Sequence, residues 1–195
     1  GNEAVLALFR KEASALHYLH HDAIVRYFVF SVDRPLNRHY LAMEFVDGLP
    51  LSDYLKRGPL TYEQASILRK RVASGLQAAH DKGVIHRDMS PDNIILQDGD
   101  IAHAKIIDFG IARTTKLGHA TVIGDGFAGK YNYVSPEQLG LFGGDVTNRS
   151  DIYSFGLVLA EATIGRPLDM SGSQADVIQK RQHVPDLSGV DPRLR

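Results

Sequence analysis

The sequence lacks cysteine and tryptophan entirely among its 195 residues. Without cysteine, disulfides, thiol nucleophiles and thiolate metal sites are excluded, and this fits a reducing compartment, so we expect a cytoplasmic location. An excess of either charge is also lacking, since 22 Lys and Arg residues stand against 23 Asp and Glu residues. We therefore expect no general nucleic-acid binding, which needs clustered positive charge against phosphates.

Long apolar runs are missing as well. A membrane span needs about 18–20 apolar residues, whereas the longest candidate run, residues 155–160, stops at Glu161. No basic start followed by an apolar stretch is visible, so we expect neither a signal peptide nor a membrane segment in this chain. The length corresponds to one domain, or most of one, at about 100–200 residues per domain.

The first third of the chain predicts one helix followed by two strands. Apolar residues near helical spacing indicate a helix over residues 4–19. Residues 24–32 alternate and are rich in Val, Phe and Tyr, and residues 39–45 form a second such run. Pro35 and Asn37 indicate a turn between them, so we expect an antiparallel pair. A short helix is predicted around residues 52–57.

The longest predicted helix begins at Thr61. This residue is a good N-cap, and Gln64 can complete a capping box with it. Lys82 and Gly83 provide an ending. We interpret the basic run at residues 69–71 as a solvated face, and we expect the buried face to consist of Leu68, Val72, Leu76 and Ala79.

The second half predicts short strands, one long loop and two further helices. The apolar runs at residues 84–85, 94–96 and 104–107 are interpreted as strands, and residues 113–130 as a loop. A helix is expected from Asp151 to about residue 164, with Ser150 as a candidate N-cap, and another over residues 174–182. This order of elements predicts the α+β class.

Three motifs carry most of the functional information. They are HRDMSPDN at residues 86–93, DFG at residues 108–110 and SPE at residues 135–137. Taken singly, Asp108 could be a strand-end turn residue and Asp88 part of a solvated loop. In this order, the motifs resemble the catalytic region of a eukaryotic-type protein kinase, in a form similar to bacterial Ser/Thr kinases.

The resemblance implies a two-lobe fold, truncated at both ends. Residues 1–44 would be the remnant of the small lobe, with its helix C and its strands 4 and 5. Residues 45–195 would be the hinge and most of the mainly helical large lobe, without its last helices. The family's Gly-rich loop and phosphate-binding lysine would precede this chain. We therefore expect a partial kinase domain that is itself inactive.

The resemblance also implies roles around ATP and Mg²⁺. Asp108 would bind Mg²⁺, Asn93 would supply an amide oxygen to a second Mg²⁺, and Asp88 would orient the substrate hydroxyl and accept its proton. Arg87, next to Asp88, goes in this family with control by phosphorylation of the activation loop. A protein substrate is implied, with dimerisation as one route to autophosphorylation.

Further positions match the family at the nucleotide site. Glu12 stands where a glutamate pairs with the phosphate-binding lysine, although locally it could be an ordinary exposed helical residue. Met43 would be the gatekeeper, and the hinge backbone after it, including Glu44 and Val46, would bind adenine. Ile95 would pack under the adenine ring.

Two groups of residues would support this site. Asp151 resembles the buried aspartate at a helix start that holds the catalytic loop, although a helix dipole would also favour Asp there. A hydrophobic column that links the lobes would consist of Leu16, Tyr27, His86 and Phe109.

Two departures from the family lie beside the chemistry. Ser90 replaces the lysine that usually follows the catalytic Asp by two residues, and Lys130 replaces a threonine. We expect Lys130 to supply the charge that Ser90 lacks, with an orientation toward solvent as the alternative.

Two other functions stay open beside a protein kinase. A pseudokinase, acting as a regulatory binding module, is disfavoured by intact Asp88, Asn93 and Asp108. A kinase of small molecules with a related fold is disfavoured by the SPE motif, which resembles the end of a peptide-docking platform.

Overall fold

A computed structural model describes residues 14–33, 35–36, 38–109 and 132–195, without the side chain of residue 39. Residues 14–17 are helical, as expected for the end of the first predicted helix. The rest of that helix up to residue 13, with Glu12, and the predicted loop at 113–130, with Lys130, lie outside the described residues.

The predicted antiparallel pair is confirmed. Strand β1 is Tyr27–Asp33 and strand β2 is Arg38–Met43, and they pair in antiparallel register. In the turn between them, the Leu36 amide donates to Asp33 Oδ1 at 3.0 Å. β1 begins later than the predicted residue 24, because Ile24 forms a bridge with Ile106 instead.

A second sheet contains β3 (Gly48–Pro50), β4 (Ile94–Gln97) and β5 (Ala104–Ile106), in that order and antiparallel throughout. β4 and β5 confirm two predicted strands. Strand β3 escaped prediction because it is three residues long and contains both Gly and Pro, which disfavour strands by themselves. Its partner β4 holds it in place, so the sheet depends on contacts distant in sequence.

Four helices complete the described fold: α1 (Leu51–Leu55), α2 (Tyr62–His80), α3 (Asn148–Ile164) and α4 (Gln174–Arg181). The predicted capping box at the start of α2 is confirmed, since Thr61 and Gln64 each accept from the other's backbone amide. Single turns of 3₁₀ helix lie at Pro91–Asn93, Ile101–His103 and Glu137–Leu139.

Helix α2 forms the centre of the core. Its predicted apolar face, Leu68, Val72, Leu76 and Ala79, is fully buried. One hydrophobic cluster extends from residues before β1 through α2, β4 and β5 to α3. Burial of this face contributes about 1.5–3 kcal/mol for each large aliphatic side chain. The mixture of helices and short antiparallel strands confirms the α+β class.

Three local predictions were wrong. Residues 84–85 form no strand in the described fold, since the Val84 amide instead donates to the Ala79 carbonyl behind α2. Ser150 is not the N-cap of α3: Thr147 is, and Ser150 occupies the third helical position of a capping box. Arg71 is not simply solvated, because its guanidinium donates to the carbonyls of Asp22 and Ala104.

Among the described residues, no helix has both the length and the apolar character needed to cross a bilayer.

Candidate active site

The sheet β3–β4–β5 brings the three predicted site segments together. The predicted hinge, residues 43–48, leads into β3. Asn93 directly precedes β4, and Asp108 lies two residues after β5. Pro50 pairs with Ile95, and Ile94 pairs with Ile106. Segments that are far apart in sequence therefore meet at one place, because antiparallel pairing fixes their register.

Asp151, near the start of α3, holds residues 86–93, the predicted catalytic loop, as the sequence predicted. It is 1% exposed. Its Oδ2 accepts from the His86 amide and its Oδ1 from the Arg87 amide, both at 2.8 Å. His80 Nε2, at the end of α2, lies 2.7 Å from Oδ2. One buried carboxyl group thus joins α2, α3 and the catalytic loop, and both of its oxygens accept hydrogen bonds, as a buried polar group requires.

The His86 side chain is fully buried and forms two contacts that define its tautomer. Nδ1 accepts from the Asp88 amide at 3.1 Å, so Nε2 carries the proton and donates to the Ile107 carbonyl at 2.8 Å. Burial lowers the pKa of His86, against the opposing effects of Asp151 and the other acidic groups nearby. A neutral imidazole therefore links the catalytic loop to the segment before Asp108.

Asp88 and Asn93 are connected within the same loop. The Asn93 Nδ2 group donates to the Asp88 carbonyl at 2.7 Å, and the Asn93 amide donates to the Ser90 carbonyl. Asn93 also accepts from the Ile107 amide through its main-chain oxygen, at 3.0 Å. Because Ile107 precedes Asp108, this contact brings Asn93 beside the segment that carries the predicted metal ligand.

Asp108 is exposed, and its φ angle of 54° lies in the left-handed region. Next to it, Phe109 is buried between two rings: the centroid of His86 is 4.6 Å away and that of Tyr27 is 6.4 Å away in an edge-on arrangement. Leu16 is buried in the same cluster. Tyr27, His86 and Phe109 of the predicted column therefore stack on one another, and they anchor the backbone that presents Asp108.

The donor groups fit Mg²⁺. This ion is bound in proteins by one or two carboxylates together with substrate phosphates. Asp108 offers an exposed carboxylate, and Asn93 uses its amide nitrogen on the Asp88 carbonyl, which orients its Oδ1 away from that contact. The described residues contain no cluster of three His, Asp or Glu side chains able to hold a metal alone. Substrate phosphate oxygens and water would complete the coordination in the way that is usual for Mg²⁺.

The predicted hinge contacts lie at the end of β2. Met43 is exposed, and the Glu44 amide donates to the Arg26 carbonyl at 2.7 Å. In the described part of the chain, the Glu44 carbonyl and the Val46 amide take part in no hydrogen bond. One acceptor and one donor, two residues apart on the same segment, suit a heteroaromatic ring that offers the complementary pair. Ile95, half-buried in β4, is the other predicted adenine contact.

A side chain that sequence reasoning missed fastens this hinge. Lys105 on β5 forms an ion pair with Glu44, whose other oxygen accepts from the Arg26 amide at 3.1 Å. Burial opposes ionisation of Glu44, but these bonds and charges outweigh it, so the pKa of Glu44 is lowered. The only sequence signal was the basic residue within an otherwise apolar strand.

The segment 133–138 forms a wall beside the catalytic loop. A small cavity there is lined by Arg87, Asp88, Met89, Tyr133, Val134, Gln138 and Ser154. The Arg181 side chain of α4, which is 2% exposed, donates to the carbonyls of Val134 and Met170, each at 2.7 Å. Neither Arg181 nor Gln138 was predicted, since contacts from a side chain to a distant carbonyl leave no local pattern.

Tyr133 and Glu161 form a further pair in this wall. The Tyr133 hydroxyl donates to Glu161 Oε2. Burial raises the pKa of Glu161 and the charge of Asp92 adds to the effect, while the Tyr133 hydrogen bond acts in the opposite direction. Burial also raises the pKa of Tyr133, so that its hydroxyl remains the donor. The pair connects the wall to helix α3.

The site combines a hinge segment that leads into a small sheet, the residues Asp88, Asn93 and Asp108 beside that sheet, and a wall formed by residues 133–138. This combination is that of a protein kinase domain. The chain belongs to the protein kinase domain family, whose family model matches residues 2–189.

Curated relatives are bacterial serine/threonine-protein kinases. Pkn1 of Myxococcus xanthus is 35% identical over 184 residues, which cover 91% of this chain and 25% of Pkn1. The probable kinase PknB of Lactococcus lactis is 32% identical over 196 residues, which cover 99% of this chain and 30% of PknB. The chain thus spans about a quarter to a third of these relatives.

Solved structures agree on the fold. The chain superposes on the crystal structure of Rad53 1-466 in complex with AMP-PNP with a TM-score of 0.77 and 23% identity, covering 96% of this chain and 47% of that one. A point mutant of the Mycobacterium tuberculosis PknI kinase domain gives a TM-score of 0.68 and 24% identity, covering 97% of this chain and 65% of that one. At these identities the similarity shows the fold alone, and that fold is the protein kinase fold expected from the motifs.

Proposed function

We propose that the protein containing this chain is an ATP-dependent protein kinase that phosphorylates Ser and Thr hydroxyls of protein substrates. The single observation that carries the proposal is the linked trio of Asp88, Asn93 and Asp108. Asn93 contacts Asp88 through its side chain and the residue before Asp108 through its main chain. The bacterial Ser/Thr kinases among the relatives support the substrate class.

The proposed reaction needs positioning and charge more than covalent chemistry. The substrate hydroxyl oxygen bonds to the γ-phosphorus of ATP, the bond from that phosphorus to the bridging oxygen breaks, and ADP leaves. Asp88 accepts the hydroxyl proton. Asp108 and Asn93 would hold Mg²⁺, which when bound neutralises charge on the phosphates. The hinge at Glu44 and Val46 would bind the base, with Ile95 beneath it.

Several sequence-based predictions remain proposals. They include phosphorylation of the 113–130 loop and pairing with Arg87, a role for Glu12 on the phosphate-binding lysine, dimerisation for autophosphorylation and a cytoplasmic location. The division into a small-lobe part at residues 1–44 and a large-lobe part at 45–195 is supported by the separate sheets β1–β2 and β3–β5. That residues 1–195 alone are inactive also stays a prediction.

Phosphate transfer from radiolabelled ATP to a Ser/Thr peptide library, and Mg²⁺-dependent ATP binding by calorimetry, test the proposal on the complete protein. We expect Asp88→Asn to lower kcat by about 10²–10⁴-fold without weakening ATP binding, because it removes the proton acceptor. Asp108→Asn should weaken ATP binding only when Mg²⁺ is present. Exposed Asp98→Asn, the same chemical change in a turn, is the control.

Each outcome distinguishes the alternatives. ATP binding without any transfer, even to the protein itself, would favour the pseudokinase. Transfer only to small molecules would contradict the protein substrate. In the same assay, Lys130→Met should lower kcat if Lys130 supplies the charge that Ser90 lacks, and an unaltered turnover removes that proposal.

A further inference from the structure

The peptide unit between Arg87 and Asp88 follows a residue with an unfavourable backbone conformation and precedes a predicted catalytic side chain. It is the main-chain unit directly before the proposed proton acceptor, and Arg87 has a φ angle of 64°, in the left-handed region that costs a side-chain-bearing residue energy. A conformation of this kind persists only where the surroundings fix it. The groups that hold this unit therefore decide where the Asp88 carboxylate points.

Two side chains hold that peptide unit from opposite ends. Its N–H, on Asp88, donates to His86 Nδ1 at 3.1 Å. Its carbonyl, on Arg87, accepts from Gln138 Nε2 at 2.8 Å. Both distances lie in the usual range for hydrogen bonds. Rotation of the unit about its long axis would break both of them at once.

Gln138 is itself oriented by its other end. Its Oε1 accepts from the Ser135 amide at 3.1 Å and lies 3.2 Å from the Ser135 hydroxyl. Ser135 is completely buried. Because Oε1 is occupied by donors, the amide group has one orientation, with Nε2 toward the Arg87 carbonyl. Gln138 therefore transmits the position of the 133–138 wall to the catalytic loop.

We propose that Gln138 is a positioning residue for Asp88, acting through the Arg87–Asp88 peptide unit. The inference rests on the proposed kinase function, since it assigns Gln138 to the same site. It also goes beyond that function, because it makes the orientation of the proton acceptor depend on whether the wall at residues 133–138 is in place. A wall that moves away would release the Arg87 carbonyl and lower turnover without touching the nucleotide.

The test is Gln138→Glu in the complete protein, with Gln182→Glu as the matched control. The glutamate has nearly the same shape and can still accept from Ser135, but it places an acceptor against the Arg87 carbonyl. Gln182 is exposed, and its side chain takes part in no hydrogen bond within the described residues. We expect kcat for peptide phosphorylation to fall about tenfold in Gln138→Glu, with ATP affinity unchanged.

Three measurements separate the outcomes. Phosphate transfer by the wild type is recorded first, and an inactive wild type would contradict the proposed function. If the wild type is active and Gln138→Glu is equally active, only the role of Gln138 is overturned. A parallel loss of ATP affinity would show a general structural effect and would also overturn it. Should Gln138→Glu melt early, Gln138→Met is assayed below its own Tm, and an unchanged kcat there contradicts the proposal.

Discussion

At the scale of single residues, buried polar side chains that hold main-chain groups account for much of the site. Asp151 binds two amides of the catalytic loop, His86 binds the next amide, and Gln138 binds a carbonyl between them. Each of these groups is costly to bury without partners. Removing one member therefore leaves its partner buried without that hydrogen bond, which lowers the stability of the site.

Asp151→Asn should test this dependence directly. The amide retains one acceptor but places an NH₂ group against a main-chain N–H, so we expect the free energy of unfolding to fall by about 2–3 kcal/mol. Urea unfolding of the variant beside Asp98→Asn measures the effect. Asp98 is exposed at a φ angle of 55°, which Asn tolerates, so that control should unfold like the wild type. Equal stability of the two variants would contradict the role of Asp151.

At the scale of elements, the sheet β3–β4–β5 depends on one close approach. A Cβ added to Gly48 would overlap the Leu96 carbonyl oxygen of β4, at a separation that real Cβ atoms do not show. Gly48 therefore allows β3, and with it the hinge, to approach β4. By contrast, a Cβ on Gly156 in α3 would meet no described atom within 4 Å apart from its chain neighbours and the backbone of its own helix.

Gly48→Ala and Gly156→Ala should therefore change stability in opposite directions. The first should lower the free energy of unfolding by about 1–3 kcal/mol, because the strands must separate. The second should raise it by up to about 1 kcal/mol, because alanine is the better helix former. Thermal melts of both variants check the signs. A Gly48→Ala protein as stable as the wild type would show that β3 is free to shift.

The sequence predicted these elements unevenly, for reasons visible in particular residues. The start of α2 was predictable because Thr61 and Gln64 lie within one turn, and the catalytic motifs because their order is specific. The N-cap of α3 was predicted wrongly at Ser150, because Thr147, three residues earlier, is an equally good cap and begins the capping box in which Ser150 is the third helical residue. The apolar run at residues 84–85 was predicted as a strand, but its apolar character reflects packing against the core and not a strand. Gln138, Lys105 and Arg181 each bind a group that is distant in sequence, at Arg87, Glu44 and Val134, and no local pattern records such contacts.

At the scale of the whole molecule, two carboxyl groups make the stability of the fold depend on pH in opposite directions. The pKa of Glu161 is raised in the folded protein, chiefly by burial. A carboxyl with a raised pKa penalises the folded state when ionised, so this penalty fades as the pH falls toward its ordinary value of 4.5. The lowered pKa of Glu44 has the opposite sign, since its stabilisation is lost in acid.

Glu161→Gln should separate these effects. The variant removes the penalty that ionised Glu161 imposes on the folded state. We therefore expect the Tm of the variant minus the Tm of the wild type to be larger at about pH 7 than at about pH 5. Thermal melts at several pH values measure it. Glu63→Gln, which removes the same charge from an exposed position of α2, is the matched control. A Tm difference that stays constant over this range would show that Glu161 ionises as it does in the unfolded chain.

Among the described residues, the main chain joins the β1–β2 pair to the sheet β3–β4–β5 at two separate places. One is the predicted hinge at residues 43–48. The other is the stretch 23–25, where the Val25 amide donates to the Ile106 carbonyl at 3.0 Å and the Ile106 amide donates to the Ala23 carbonyl at 2.8 Å. The β1–β2 pair is thus attached at two points, one through the predicted hinge and one through hydrogen bonds to Ile106. Sliding of the β1–β2 pair along the sheet β3–β4–β5 would therefore have to break the hydrogen bonds at Ile106 or distort the chain between β2 and β3.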